Sequence, residues 1–280
     1  ECAITPQDLT YSGPPKAFYF RVGPAAADAL ALAGVDLVSL ANNHALDADA
    51  AGLRDTLTLL DEKGIRHAGA GQDLAAAGRM AVVGAKGVRV GVLAFCDHQP
   101  DFAAAEDRPG IRYIELADPA AYDALLDEVA AHRGRVDHLV VSFHWQPNWV
   151  PRVHPAYRTL AARLVAAGAS VVWGHSPHHF QGVEWFDGRP VIYSSGGLVD
   201  DYALEPNFRN DRQLLFQVTL GAERVERVVA FPIELEFART VPARPAARRW
   251  IERRFADLCA EVGSRVAAAG EGIAVLPGVD

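Results

Sequence analysis

The chain has 280 residues, and its 27 basic against 35 acidic side chains give a formal net charge of −8. That length suffices for one large or two small domains, and an apolar content of 50% is ordinary for a soluble globular protein. No segment approaches the roughly 20 apolar residues that a membrane-spanning helix needs. An acidic chain without a block of lysines and arginines is also not a nucleic-acid binder, so both classes are excluded.

Three cysteines, Cys2, Cys96 and Cys259, are odd in number and far apart. They predict neither a disulfide framework nor a Cys-x-x-Cys zinc site, and each is interpreted as a small apolar residue rather than a nucleophile. The N-terminus lacks the features of a signal peptide and begins with Glu1 instead of Met. We therefore expect a processed or truncated piece. The compartment stays open between cytoplasmic and, if an N-terminal anchor has been removed, envelope-associated.

The first half of the chain alternates β-branched runs with alanine- and leucine-rich runs, which is typical of βα units and a largely parallel sheet. We predict helices at 24–34, 49–63, 119–132 and 155–167, strands at 35–40, 65–70, 136–143 and 169–173, and a hairpin that joins 79–84 to 87–95. Together these elements indicate an α/β fold.

After residue 180 the pattern changes to successive strands separated by short turns. We predict strands at 181–186, 190–195, 213–220 and 224–236 and a last helix at about 246–263. The turn signals at Asp187–Gly188 and Gly221 predict antiparallel pairing in this half.

Three of the predicted strands are followed by side chains that can bind metals. These residues are Asn42, Asn43, His44 and Asp47 after the first strand, His144 after 136–143, and His175, His178 and His179 after 169–173. Ligands bind beyond the carboxyl ends of strands in open α/β sheets. Imidazole, amide and carboxylate groups together suit zinc, manganese or iron.

Each of these segments also has an alternative interpretation when it is taken alone. His144 fits a hydrogen-bonded core or loop residue, and the segment around His175 and His178 fits a solvated turn. Asp47 fits the N-cap of the helix that follows. Because three separate strand ends carry such residues, the combined pattern favours a metal site.

The sequences of these segments and of the residues that flank them resemble a known family. SLANNHALD, VVSFHW and GHSPHHFQGVEWFDGRPVIYSSGG resemble the capsule-synthesis CapA family, or poly-γ-glutamate biosynthesis family, within the calcineurin-like metallophosphoesterases. The resemblance runs from Glu1 to about residue 240. It implies an α/β four-layer αββα sandwich with mixed sheets in residues 1–240, followed by a C-terminal helical extension at 241–280.

The same resemblance implies a centre of two divalent metal ions, manganese, zinc or iron, and a catalytic histidine. Its metal ligands would be Glu1, Asn43, His144, His175 and His178. A metal-activated hydroxide would attack the substrate, and His44 would act as the proton donor. The chain departs from the family at two points: it lacks the family's opening Gly-Asp motif, and Gly197 stands where relatives commonly carry Asn or Asp.

Three functions are compatible with these residues. The favoured one is a metal-dependent phosphoesterase or hydrolase, linked to capsule or poly-γ-glutamate biosynthesis, that acts on an anionic small molecule or polymer. The second is a metal-dependent peptide epimerase, and the third is a binding or assembly subunit whose metal site is impaired. Three aspartates have two possible roles. Asp47, Asp200 and Asp201 are either partners that orient histidines or ordinary loop carboxylates.

The sequence does not predict the oligomeric state.

Overall fold

In the computed structural model, which describes residues 1–201 and 203–278, packing separates the chain into two compact units, Glu1–His144 and Trp145–Asp280. In the described residues no helix is both long and apolar enough to cross a membrane.

The first unit contains four helices and nine strands among its described elements. They are β1 (Ala3–Ile4), β2 (Arg21–Val22), α1 (Ala25–Leu32), β3 (Leu37–Ser39), α2 (Asp49–Glu62), β4 (Arg66–Ala68), β5 (Ala70–Gly71), α3 (Leu74–Ala77), β6 (Ala81–Ala85), β7 (Val88–Cys96), β8 (Gly110–Ile111), α4 (Pro119–His132) and β9 (His138–His144).

The strands β6, β7 and β9 lie side by side in this unit. β6 and β7 form an antiparallel hairpin whose turn residues, Lys86 and Gly87, have φ angles of 52° and 82°, as the two-residue turn of a hairpin requires. β7 and β9 pair in parallel, with Cys96 opposite His144. The connection between them carries α4, because parallel neighbours need a crossover.

The core of the first unit is built on one face of α2. Leu53, Leu57 and Leu60 are spaced at i, i+4 and i+7, so they share a face of the helix, and all three are buried. They belong to one cluster with Ile65 and Phe102. This packing fixes α2, and the turn that leads into it carries the predicted catalytic residue, His44.

The second unit contains two helices and eight strands among its described elements. They are α5 (Pro155–Ala167), β10 (Val171–His175), β11 (Val183–Phe186), β12 (Arg189–Ile192), β13 (Arg212–Leu220), β14 (Val225–Glu236), β15 (Arg239–Pro242), α6 (Pro245–Glu261), β16 (Arg265–Ala269) and β17 (Gly272–Leu276).

Antiparallel pairing dominates the second unit, as the turn signals predict. β11 and β12 form a hairpin through Asp187 and Gly188, and β12 continues in parallel to β10. A second sheet has the order β13-β14-β17-β16, with β15 on β14. The apolar face of α6 adds Ile251, Phe255 and Leu258 to the core of this unit.

The α/β class predicted from the sequence is confirmed, with mixed parallel and antiparallel pairing. Two local expectations need correction. The strands predicted at 136–143 and 169–173 run on to His144 and His175, so these histidines are final strand residues instead of loop residues. The C-terminal extension at 241–280, predicted as helical, contains strands as well as α6. Its last two strands, β16 and β17, form a hairpin, and β17 pairs with β14. The domain boundary at residue 240 stays a prediction.

Candidate metal centre

The predicted proton donor, His44, lies in the turn between β3 and α2. Its side chain is buried, and its backbone N–H donates a hydrogen bond to Oδ1 of Asn42 at 2.9 Å. The ring of Phe20 lies against the imidazole, with 4.2 Å between ring centroids. The Asx hydrogen bond fixes the backbone at His44, and the Phe20 ring packs against its imidazole.

Asp47 is the direct partner of His44. Its Oδ2 lies 2.5 Å from Nδ1 of His44 and accepts a second hydrogen bond from the backbone N–H of Phe20 at 2.6 Å. The alternative that Asp47 is the N-cap of the next helix is wrong, because the N-cap position is Ala48 and no side chain caps it. If Nδ1 carries the proton that faces this carboxylate, Nε2 is the ring nitrogen left for other partners.

Lys16 compensates the charge of this buried carboxylate. Its ammonium group forms an ion pair with Oδ1 of Asp47 and also donates to the carbonyl oxygen of Asn43. The side chains of Lys16 and Asp47 are 7% and 0% exposed, and the ammonium lies 4.6 Å from the centroid of the Phe102 ring. A buried charge needs such a partner, so Lys16 holds both the orienting carboxylate and the backbone at Asn43.

We expect Lys16→Met to destabilise the first unit by about 3 kcal/mol, because breaking a buried ion pair leaves one uncompensated charge. Hydrogen–deuterium exchange of peptides from residues 1–144 measures the effect. Lys63→Met is the matched control: Lys63 pairs with Asp28 at the surface, and exposed pairs contribute little. Equal protection of the two variants would contradict a structural role for the Lys16 pair.

Glu1 and His144, two predicted metal ligands, lie together within the first unit. Oε1 of Glu1 is 3.1 Å from Nδ1 of His144, whose side chain is 2% exposed. Two ligand atoms that each lie about 2.1 Å from one cation are about 3.0 Å apart at an angle of 90° and about 3.4 Å apart at the tetrahedral angle. The separation of this carboxylate and this imidazole therefore fits a shared divalent cation.

Two side chains to which the sequence analysis assigned no role in the site, Cys96 and His98, lie beside His144. The Cys96 thiol is buried, and its Sγ is 3.3 Å from both the backbone N and the carbonyl O of His98. The His98 ring stands edge-on to the His144 ring at 5.4 Å, and its Nδ1 lies 2.5 Å from Oδ1 of Asp97. The sequence feature that could have indicated them is the Cys-x-His triplet of Cys96 to His98, which begins at the end of β7.

Burial and the negative charge of Asp97 act in the same direction on the pKa of Cys96 but in opposite directions on the pKa of His98. Burial raises the pKa of the Cys96 thiol well above its usual value. For His98 burial alone would lower the pKa, but the adjacent Asp97 carboxylate outweighs it and leaves the pKa raised. The Asp97 carboxylate therefore stabilises the protonated form of the His98 ring.

His175 and His178 belong to the second unit. His175 is the last residue of β10 and is half-buried. His178 has a φ angle of 65°, and its ring stacks on Trp149 with 5.0 Å between centroids. Its carbonyl oxygen accepts a hydrogen bond from Nε2 of Gln213 at 2.9 Å. A ligand set that includes these two histidines stays a prediction from the sequence.

Asp200 and Asp201 have local structural partners. Oδ2 of Asp200 accepts a hydrogen bond from Nδ2 of Asn210 at 2.9 Å, and Oδ1 of Asp201 accepts one from the backbone N–H of Ala238 at 2.8 Å. These contacts match the interpretation as loop carboxylates. Asp47, by contrast, directly contacts a predicted site histidine, His44.

Known proteins with similar sequences place the chain in a family. The family model described as "Bacterial capsule synthesis protein PGA_cap" matches residues 1–202. The Mycobacterium tuberculosis protein named "Probable polyglutamine synthesis accessory protein" is 34% identical over 260 residues, which cover 88% of this chain and 68% of that protein. The PGA biosynthesis protein CapA of Bacillus subtilis is 29% identical, over 74% of this chain and 53% of its own length.

The capsule biosynthesis protein CapA of Bacillus anthracis is 30% identical over 174 residues, which cover 60% of this chain and 41% of that protein. The match therefore spans about half of each Bacillus protein. The resemblance carried by the ANNH, SFHW and GHSPHH motifs is confirmed, and the chain belongs to the bacterial capsule synthesis family associated with capsule and poly-γ-glutamate biosynthesis.

Proposed function

We propose that the chain is a metal-dependent phosphoesterase on a calcineurin-like αββα sandwich, acting on an anionic small molecule or polymer in capsule or poly-γ-glutamate biosynthesis. The observation that carries the proposal is the buried pair of His44 and Asp47, 2.5 Å apart, directly after Asn43. A histidine oriented by a buried carboxylate is the arrangement that general acid–base catalysis uses.

The donor chemistry of the chain suits divalent metal ions. The 3.1 Å separation of Glu1 Oε1 and His144 Nδ1 allows both atoms to bind one cation. The amide of Asn43 adds an oxygen donor in the same unit, and His175 and His178 are assigned ligand roles from the family resemblance. Mixed oxygen and imidazole donors favour manganese, zinc or iron.

The proposed reaction divides the work between the cations and the side chains. When bound, the two cations supply Lewis-acid polarisation of the phosphoryl group and a water-derived nucleophile at neutral pH. Nε2 of His44 protonates the leaving oxygen, and Asp47 keeps the ring oriented through Nδ1. Lys16, which donates to the carbonyl of Asn43, holds that loop in place while the proton moves.

The proton-transfer pair also bears on the competing functions. A binding or assembly subunit has no use for a buried carboxylate that orients a histidine, so this pair favours an enzyme. An epimerase would use the same histidine as a base at a carbon centre, and its substrate would be a peptide. We favour the phosphoesterase because paired cations suit in-line displacement at phosphorus.

The test is metal content by elemental analysis together with manganese-dependent hydrolysis of an aryl phosphodiester. We expect bound manganese, zinc or iron in the chain, and loss of both metal and turnover in His144→Ala and His175→Ala. His67→Ala is the matched control, since His67 lies on β4 and contacts Asp61 instead of a predicted ligand. A metal-loaded chain without phosphodiester turnover would contradict the proposal, and metal-dependent exchange of a Cα proton in a peptide substrate would then identify an epimerase.

A further inference from the structure

A second group of metal-binding atoms lies at the ends of β7 and β9. The ligand atoms of Cys96, His98 and His144 all lie within 4.8 Å of one another. This set is chemically different from the proposed hydrolase ligands, because it contains a thiol and lacks oxygen donors. His144 is common to both sets, whereas Cys96 and His98 have no role in the proposed hydrolysis.

The parallel register of the two strands brings these residues together. Cys96 is paired with His144 in the ladder, so their side chains project from the same face of the sheet. His98 follows two residues after Cys96. Sγ of Cys96 donates to the carbonyl oxygen of His98 and accepts from its backbone N–H, each at 3.3 Å. The thiol and the two imidazoles are therefore placed by backbone hydrogen bonds and strand pairing.

The surroundings of His98 are those of a metal ligand. Oδ1 of Asp97 lies 2.5 Å from Nδ1 of His98, within reach of the ring N–H that a metal-binding histidine usually donates to a carboxylate. The same contact directs Nε2 of His98 away from Asp97. The side chains of Cys96 and His144 are 0% and 2% exposed, so water competes little for either.

We propose that Cys96, His98 and His144 form a zinc site of one thiolate and two imidazoles. Ligand atoms around a tetrahedral zinc ion lie roughly 3.5 Å apart, so the three side chains close by little more than an ångström on binding. A thiolate selects zinc over manganese or magnesium. The fourth position of the tetrahedron is left to water or to an oxygen ligand. This inference goes beyond the proposed function, which needs neither the thiol nor His98.

Cobalt(II) is the probe for this site, because a thiolate bound to cobalt gives a charge-transfer band in the near ultraviolet that oxygen and imidazole ligands do not give. We expect the band in the wild-type chain and in the variant that combines Cys2→Ser with Cys259→Ser. Cys259 is a matched control, since it is as buried as Cys96 and lies on α6. Cys96→Ser should lose the band, and His98→Ala should bind zinc at least ~10-fold more weakly in competition with a chromogenic chelator.

Cobalt binding without the band in the variant that keeps only Cys96 would overturn the proposal, even if Cys96→Ser does not fold. A band that survives in a folded Cys96→Ser chain would overturn it as well. Hydrolysis of an aryl phosphodiester separates this site from the proposed function. Turnover without the band rejects the zinc site and leaves the phosphoesterase, whereas the band without turnover supports the zinc site and rejects the phosphoesterase.

Discussion

His44→Ala should lower kcat for hydrolysis of an aryl phosphodiester by about 10²- to 10⁴-fold, the contribution typical of a positioned acid or base. The loss follows from removing the buried imidazole whose Nδ1 contacts Asp47 at 2.5 Å. Metal content should stay that of the wild type, because His44 acts on the proton and is not a predicted ligand. Elemental analysis of the same sample checks that separation.

Comparing substrates with different leaving groups tests the role of His44 more directly. If His44 protonates the leaving oxygen, a phenyl ester should lose more turnover in His44→Ala than a nitrophenyl ester, whose leaving group needs less help. Equal losses for the two esters, or full turnover in the variant, would contradict the assigned role. Asp47→Asn should have a smaller effect on kcat and change its pH profile, since Asp47 acts through His44 as a positioning residue.

Local sequence signals predicted most of the regular structure. The helices predicted at 119–132 and 155–167 end where α4 and α5 end, because proline at the first turn and a break after the last apolar residue are encoded locally. The Asp-Gly pair at 187–188 likewise predicts the turn of the hairpin formed by β11 and β12. The hairpin after α6 was missed, since its short strands are stabilised by pairing with β14, distant in the chain.

The candidate site was predictable only in part, for the same reason. Spacing and family resemblance identified His44 and His144, but a helix-capping role for Asp47 was as reasonable from local sequence as its contact with His44. Lys16 precedes Asp47 by 31 residues, and no local pattern links them. Cys96 looked like an ordinary apolar residue until the register of β7 and β9 placed it opposite His144.

The close packing around Gly174 should make the stability of the second unit sensitive to any side chain at this position. A β-carbon at this position would lie well inside van der Waals contact of the Tyr193 carbonyl oxygen and of Nε1 of Trp145. Those two atoms are joined by a hydrogen bond of 2.8 Å in the core. Gly174→Ala must therefore break that bond or displace β10, in which Gly174 precedes His175.

We expect Gly174→Ala to lower the free energy of unfolding of the second unit by at least about 3 kcal/mol, the sum of overpacking and a lost buried hydrogen bond. Urea unfolding followed by tryptophan fluorescence measures it, because all five tryptophans lie after residue 144. Gly197→Ala is the matched control, since the nearest atom to its added carbon is 3.9 Å away. Equal stability of the two variants would contradict the packing constraint. Because the strain falls on the strand that ends in His175, Gly174→Ala should also lose bound metal while Gly197→Ala keeps it.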